Sequence, residues 1–418
     1  MFLEPRSATP RYENAHDALS NEDAVFFRSV GRKTNAGVSV NTSNAMSLPA
    51  VYCAVGILAD ALAMLPVDVY KPDGKGGKSK VDKHPAAEVM NRRANDYMQP
   101  FTARQTGQHH ACLWGNGYFE IQRNDLGQPV GLWPLLPDST WAVKPDKGDL
   151  YYTTTINGSS FKLPVDDVLH IKALGYDGYV GYSPVTVLRE VLGLGIGMQV
   201  YASKFFGNDS KSGGFVYHPG KLSETGVKNL ADHVNDQGGI DNAHRIKVLE
   251  EGVKFIQTTI PPEDAQFLQS REFSVTDIAR IFRVPPALLA AMEKSTSWGS
   301  GIEQMMIAFL QFSIMPWVVR WEQEASAKLL TEEEKKKGYY IKLNVNSLLR
   351  GDMAARAEFY NKAINNGWMT RNEAREKEDM NPLPGLDEPL TPLNMVAGDT
   401  TADRPAPESD PEDANDEN

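Results

Sequence analysis

The chain has 418 residues, of which 41% are hydrophobic and 23% charged, an ordinary composition for a folded globular protein with two or three hydrophobic cores. Its two cysteines, Cys53 and Cys112, exclude a disulfide framework and favour a reducing, intracellular environment. The net charge is −11 and the sequence holds no clustered stripe of Lys and Arg, which argues against tight, repressor-like DNA binding.

The N-terminal part is polar up to residue 45, with little periodicity, and is predicted to form an arm with one short helix before the folded part begins near Met46. From Leu48 to Leu65 apolar residues recur at helical spacing, and Pro66 ends this helix before the alternating strand VDVYK. The apolar stretch contains Asp60 and is shorter than the ~20 residues that cross a bilayer, so no membrane span is predicted. The stretch PDGKGGKSK that follows is typical of a hairpin turn.

Mixed α and β patterns fill the region up to residue 183. A helix ending at LWGNG precedes the strand YFEIQR, a turn at Asp125 to Gly127 and a second strand that ends at Pro134. A further β region runs from YYTTTI to DVLHIKAL. The pattern predicts an α+β fold.

A long helix predicted from Val185 to about Phe206 carries three closely spaced glycines, Gly193, Gly195 and Gly197. Because glycine has no side chain, these positions are predicted to let helices pack closely. Residues 209–263 combine strand-like and helical stretches and are predicted to form a small α/β module, which a helix at 264–284 follows.

The stretch VPPALLAAMEKSTSWGS, residues 284–300, is predicted to be a loop between two helices. Beyond Gly299 an apolar helix continues to Trp321, with a kink expected at Pro316. A strand YYIKLNV and helices up to about Met380 follow. Residues 399–418 carry eight acids against Arg404 alone, and this tail is predicted to be disordered.

No motif in the sequence meets the requirements of a catalytic, nucleotide or metal site. The stretch GKGGKS has Pro72 where a phosphate-binding loop needs glycine, and GLGIGM has Met198 where a dinucleotide fingerprint needs its third glycine. His109, His110 and Cys112 have no second ligand cluster at metal-binding spacing. The residues by themselves therefore predict a multi-part α+β protein without a visible active site.

Four sequence blocks, taken in order, resemble the portal protein family of tailed double-stranded DNA phages, in its short siphovirus-type branch. The blocks are AVYCAVGILADALAMLPVDVYK, LWGNGYFEIQRNDLGQPVGLWPLLP, VLHIKALGYDGYVGYSPVTVLREVLGLG, and FSVTDIARIFRVPPALLA followed by IEQMMIAFLQFSIMPWVVRWEQE. Each block is modest by itself, but the four occur in the family's order across almost the whole chain. The resemblance implies an α+β portal fold that assembles into a ring, usually a dodecamer, around a central channel.

The resemblance also implies an assignment of each segment to a part of the portal. The parts are an N-terminal polar arm (1–45), the first part of the wing (46–183), a stem helix (184–208), the clip (209–263), a second stem helix (264–284), a tunnel loop (285–300), the rest of the wing with a kinked long helix and a strand (301–350), a short helical crown (351–385) and an acidic disordered tail (386–418). In such a ring the stem helices line the channel and the tunnel loop projects toward the DNA.

Two sets of residues receive a role from this resemblance. The loop residues are expected to meet DNA weakly, with one lysine per subunit forming a belt of charges: Lys294, Ser295, Thr296, Ser297 and Trp298. The stem glycines Gly193, Gly195 and Gly197 are expected to let neighbouring stem helices pack closely. From the residues alone, a loop tryptophan such as Trp298 is more typical of a packing anchor than of a functional contact.

The resemblance implies a portal that is not an enzyme, binds no cofactor or metal, and lies at the capsid portal vertex of the virion after assembly in the host cytoplasm. Its expected partners are other copies of the chain, double-stranded DNA, the terminase large subunit, the major capsid protein and scaffold, and a head-completion adaptor, but no membrane. Two alternatives stay open. Another ring-forming head–tail connector would lack the stem–clip–stem order of residues 184–284, and an uncharacterised enzyme would turn over ATP or an ester.

Overall fold

The structure of the chain is a computed structural model, which describes residues 13–14, 32–73, 77–81, 83–145, 147–207, 214–217, 219–220, 223–228, 254–257, 275–289, 300–345, 348, 353–378 and 380–390. The chain divides into two compact units, Met1–Asn344 and Val345–Asn418. No helix among these residues is both long and apolar enough to cross a membrane.

The first unit mixes helices and antiparallel sheets. Its helices are α1 (Thr42–Ala45), α2 (Pro49–Ala63), α3 (Pro85–Asn91), α4 (Pro100–Trp114), α5 (Pro184–Val187), α6 (Arg189–Gly207), α7 (Ser300–Phe309), α8 (Met315–Leu329) and α9 (Glu332–Lys336), with further helical residues at 224–228 and 275–282. Its strands are β1 (Glu13–Asn14), β2 (Arg32–Lys33), β3 (Ser39–Val40), β4 (Val67–Pro72), β5 (Lys78–Lys80), β6 (Asn116–Arg123), β7 (Pro129–Leu135), β8 (Thr140–Val143), β9 (Tyr151–Ile156), β10 (Ser159–Pro164), β11 (Val168–Lys172), β12 (Gly214–Tyr217), β13 (Lys254–Gln257) and β14 (Tyr340–Leu343).

The strands within the described ranges form three small sheets and two hairpin-like pairs. The sheet orders are β1-β10-β9-β8, β11-β6-β7 and β14-β4-β5, and the pairs are β2-β3 and β12-β13. In the central sheet Tyr118 of β6 lies opposite both Leu135 of β7 and His170 of β11. Short antiparallel strands joined by nearby turns fit the α+β prediction.

The predicted first helix is confirmed by α2. Pro49 begins it at a first-turn position, where the missing N–H costs nothing, and its apolar residues at helical spacing are buried: Val51, Val55, Leu58 and Leu62. Leu65 is buried just beyond its end, and Pro66 precedes β4 as predicted. β4 alternates between buried and partly exposed residues before it pairs with β5 across the glycine-rich stretch, which confirms the hairpin.

The core is built where α8 packs on strands β11 and β14, and where α4 packs on α2 and β6. The fully buried Trp321 stands edge-on to Phe119 with ring centroids 5.7 Å apart. Its indole N–H donates to Gln108 Oε1 at 2.9 Å, so this buried polar atom is satisfied. Gly107 lies against the Phe119 ring and leaves no room for a side chain.

Several elements differ from the sequence prediction. The described fold starts before Met46, because residues 32–40 form the β2–β3 hairpin that packs on α6. Strand β8 was not predicted. The long C-terminal helix is interrupted by a π-helical segment, Leu310–Ile314, directly before Pro316, which lies in the first turn of α8. Because Pro316 has no N–H to donate to an α-helical hydrogen bond, a departure from α-helical bonding is favoured at this position.

The second unit is helical and contains α10 (Met353–Asn365) and α11 (Arg371–Lys377). Thr370 caps α11 through a capping box with Glu373. Ala363, Met369 and Ala374 are its buried apolar residues. Asn372 connects α11 to the segment after it, since its amide donates to Leu383 O and Asp387 Oδ1, each at 2.8 Å.

Candidate functional site

The helix at 275–282 ends in a specific backbone geometry that starts the predicted tunnel loop. Arg283 has a left-handed φ of 55°, its N–H donates to Arg280 O at 3.3 Å, and the Val284 N–H donates to Ala279 O at 3.0 Å. These two bonds are those of a Schellman cap, in which glycine usually takes the left-handed position. Val284 and Ala279 are both buried, as the motif's apolar contact requires. The chain therefore turns sharply at Arg283.

Beyond this turn the loop is attached to the core. Pro286–Leu289 form a 3₁₀ turn that packs on α2, where the Cys53 thiol lies 3.7 Å from Leu288 O. The thiol is a weak donor, so packing rather than this bond holds the turn. The outgoing end of the loop is thus fixed up to Leu289.

Beyond the loop, a side-chain bond connects the returning helical region to the start of the loop. α7 begins at Ser300 and runs into the π-helical segment, in which Ser313 is buried. The Ser313 hydroxyl donates to Arg283 O, so the π-helical segment is bonded to the residue at which the chain leaves helix 275–282. The ten residues 290–299, which include Lys294, Ser295, Thr296, Ser297 and Trp298, lie outside the described residues.

The structure places two of the three glycines, Gly193 and Gly197, against the chain's own N-terminal hairpin. A Cβ on Gly193 would lie 2.6 Å from Thr34 Cγ2, whereas one on Gly197 would lie 3.7 Å from Val38 Cγ2, an ordinary contact. Gly195 is buried. The Asn35 N–H donates to Glu190 Oε2 at 3.0 Å, which bonds the hairpin to the first turn of α6. Packing of these glycines against a neighbouring subunit stays a prediction.

A buried polar network holds the segment that leads into α5. His170 Nε2 is 2.9 Å from Asn116 Oδ1, and its Nδ1 is 3.0 Å from the Tyr152 hydroxyl. Because the Asn116 oxygen only accepts, His170 donates from Nε2, and in the neutral imidazole its Nδ1 then accepts from the Tyr152 hydroxyl. Burial lowers the pKa of His170 well below its usual range. Asn116 also exchanges two hydrogen bonds with Gly181, at 2.7 and 2.9 Å, and so fixes the chain just before α5.

The residues weighed as metal ligands have other environments. Burial, with the neighbouring charge of His109, lowers the pKa of His110 to about 4, and burial raises the pKa of the Cys112 thiol to about 12. His109 and His110 both pack edge-on against Trp114. The described part of the chain holds no group of three or more potential ligands. The ring contacts of both histidines lie within α4 itself.

The sequence reasoning missed the parts of this site that depend on contacts between distant segments. Neither the bond between Ser313 and Arg283, 30 positions apart, nor the contact of Thr34 with Gly193 leaves a local pattern. The one local signal was the apolar sequence around 278–284, which marks a buried helix end.

A long glycine-bearing helix, a small two-stranded pair and a second helix follow one another in this α+β chain. Residues 49–379 match the family described as phage portal protein. The chain therefore belongs to the phage portal protein family, and it acts in phage assembly and virion packaging.

Individual relatives agree with this assignment. The chain is 31% identical over 351 residues to the portal protein of Enterobacteria phage HK97, covering 84% of this chain and 82% of that protein. It is 34% identical over 383 residues to the probable portal protein of Streptomyces phage phiC31, covering 88% and 82%. A chain in the neck of a native GTA particle, computed with C12 symmetry, has the same fold, with a TM-score of 0.53 at 19% identity over 82% of this chain and 94% of that one.

Proposed function

We propose that about twelve copies of this chain form a ring around a DNA channel at one vertex of the capsid. Family membership supports this proposal, as does the similar fold of a chain in a neck computed with C12 symmetry. The ring nucleates head assembly with the major capsid protein and scaffold, docks the terminase large subunit for packaging, and later binds a head-completion adaptor. ATP hydrolysis belongs to the terminase, and the portal itself is a structural protein of the virion.

The proposed parts of the portal have described segments that support them. α5 and α6 fall in the proposed stem helix at 184–208, and helix 275–282 falls in the second stem helix at 264–284. The paired strands β12 and β13 fall in the proposed clip at 209–263 and bring the two sides of this module together. In the proposed crown at 351–385, α10 and α11 form a small helical core.

The observation that carries the proposal is the anchored base of the proposed tunnel loop at 285–300. A loop that touches moving DNA transmits force to its attachment points. Here the outgoing end is held by the cap at Arg283 and by the turn at Pro286–Leu289, and Ser313 bonds the returning helix to Arg283. The loop therefore connects two points that the core already holds together.

The loop's composition suits weak, repeated contact with DNA. In a ring, one Lys294 per subunit gives many equivalent positive charges, each of which meets a phosphate without sequence preference. Ser295, Thr296 and Ser297 add hydroxyls that hydrogen-bond phosphate oxygens, and Trp298 supplies a broad apolar surface. The net charge of −11 keeps overall affinity low, which favours sliding over tight binding.

The first test is the mass and shape of the purified protein, measured by light scattering and negative-stain electron microscopy. A closed ring with a central hole and a mass of about 550 kDa, roughly twelve copies of the 46.2 kDa chain, is the expected result. A compact monomer at every concentration and in the presence of scaffold contradicts the ring. Turnover of ATP or esters by the purified protein would favour the enzyme alternative.

The second test concerns the loop. We expect the double variant Lys294→Ala and Trp298→Ala to form rings but to package less DNA, or to retain less, in a packaging assay with terminase and proheads. Lys71→Ala, which removes an exposed lysine from β4, is the control. Unchanged packaging and retention in the double variant would show that the chemistry of the loop is irrelevant.

A further inference from the structure

Two arginines, Arg283 and Arg320, lie on neighbouring elements at the base of the loop, which a side-chain bond connects. Ser313, Trp317 and Arg320 follow at spacings of four and three residues, so they share one face of the helix. The bond from Ser313 to Arg283 O places Arg283 against this face. The Arg320 guanidinium carbon lies 4.8 Å from the centre of the Trp317 ring, which orients it.

The two guanidinium groups act on each other electrostatically. Burial lowers the pKa of Arg320, and the positive charge of Arg283 lowers it further. Arg320 stays charged at neutral pH, since an arginine pKa lies far above 7. Because the two positive charges repel each other, an anion between them would be stabilised by both.

No carboxylate among the described residues forms an ion pair with either arginine. The acids nearest in sequence on α8 are engaged elsewhere: Glu322 accepts from the Lys342 ammonium and the Leu343 N–H, and Glu324 accepts from the His170 N–H. Arg280, one turn before Arg283, is paired with Asp277 at 2.7 Å. Arg283 and Arg320 thus differ from their neighbour Arg280, whose charge is neutralised within the chain.

The backbone at Arg283 adds a second observation. A residue with a Cβ costs about 1 kcal/mol or more in the left-handed region, and such residues cluster at functional sites. Glycine is the usual residue at this position of a helix cap. An exposed arginine there places a long cationic side chain at the point where the chain leaves the helix.

We propose that Arg283 and Arg320 form an anion-binding pair that holds a backbone phosphate of double-stranded DNA at the base of the tunnel loop. This inference rests on the proposed function, because it assumes that the loop faces the channel. Guanidinium groups suit phosphate well, since each offers a planar set of donors to two oxygens. Repeated around a ring, the pair forms a belt of phosphate contacts beside the belt of Lys294, without reading base sequence.

The test measures DNA affinity of assembled rings. The wild-type ring and the variants Arg283→Gln, Arg320→Gln and the double variant are titrated against a fluorescent DNA duplex by anisotropy at several salt concentrations. We expect the double variant to bind about tenfold more weakly. The slope of log affinity against log salt is expected to fall by about one for each phosphate that the variant ring no longer neutralises. Arg280→Gln, on the same helix but already paired, is expected to change neither quantity.

Each other outcome overturns the proposal. Intact variant rings with wild-type affinity and salt slope show that the pair does not contact DNA. Thermal melting shows whether the variants are folded. Folded variants that no longer form rings show that the pair binds a carboxylate of a neighbouring subunit instead. Arg283→Gln alone changes an exposed side chain and decides the case if the double variant misfolds. If the wild-type ring shows no measurable DNA binding in this titration, the DNA contact of the proposed portal is itself refuted. The wild-type titration thus separates failure of the proposed function from failure of the arginine pair alone.

Discussion

Gly193 and Thr34 are in direct contact, so that helix α6 and the β2–β3 hairpin meet where no side-chain carbon fits between them. Thr34 is buried and its hydroxyl donates to Val38 O at 2.9 Å, which closes the hairpin turn. Gly193 therefore contacts a segment of its own chain, and this contact holds the hairpin that precedes α1.

We expect Gly193→Ala to destabilise the first unit by about 1 to 3 kcal/mol, because the new Cβ displaces Thr34 and its hydrogen bond. The free energy of unfolding in urea measures the effect. Gly56→Ala is the control: Gly56 lies in α2 with open space around it, so alanine is expected to stabilise by about 0.5 to 1 kcal/mol. If Thr34→Ala does not partly rescue Gly193→Ala, the contact is not the cause.

We expect Trp321→Phe to cost about 1 to 3 kcal/mol, since it leaves the buried Gln108 amide oxygen without its donor. Trp133→Phe removes the same kind of bond, to Gln122 Oε1 at 3.2 Å, but at the surface, where water replaces the donor. Its expected cost is below about 1 kcal/mol. Equal decreases of unfolding free energy in the two variants would contradict the role assigned to burial.

We expect stability to fall as the pH is lowered below about 6.5. Burial lowers the folded-state pKa of His170 and brings that of His110 to about 4, so the unfolded chain binds more protons than the folded chain between that value and 6.5. His110 alone contributes at most about 3 kcal/mol. Burial raises the pKa of Glu324, which opposes this trend at the acidic end. Urea unfolding across this pH range gives the curve, and a flat curve contradicts neutral buried histidines.

We expect Asn372→Ala to loosen the segment 381–390 of the second unit. The variant lacks two bonds donated to Leu383 O and Asp387 Oδ1 and a third accepted from the Leu383 N–H. Hydrogen exchange is expected to accelerate in this segment before it does in α10. Asn361→Ala removes an exposed amide from α10 and serves as the control, with no change expected at Leu383.

The elements that the sequence predicted are those whose pattern is local. The helical spacing from Val51 to Leu62 and the alternation in VDVYK each bury one face, and a single stretch of sequence shows this. The family resemblance rested on such blocks and is confirmed by the match over residues 49–379. Strands β2 and β3 have two residues each, which is too short for any period to show.

Local sequence patterns could not predict the geometry of the loop base, because that geometry depends on contacts between distant residues. A sequence predicts a left-handed helix cap where glycine occurs, but here the left-handed position is occupied by Arg283. Ser313 gives no signal of its own, because its partner lies 30 positions earlier in the chain. Near Pro316, where a kink was expected, the structure has the π-helical segment Leu310–Ile314 directly before the proline, and the sequence pattern did not predict that segment.

The π-helical segment Leu310–Ile314 also sets the rotational phase of α7 relative to α8. A π-helical turn accommodates one residue more than an α-helical turn, and each residue of an α-helix turns by about 100°. Deleting one residue from this segment would therefore rotate α7 by about that angle while α8 keeps its buried face of Val318, Trp321 and Ala325. Met306 and Ile307, now exposed, would point elsewhere, and the direction in which the loop returns at Ser300 would change with them. The number of residues in the segment Leu310–Ile314 therefore determines the direction of the chain at Ser300 as much as the side chains do.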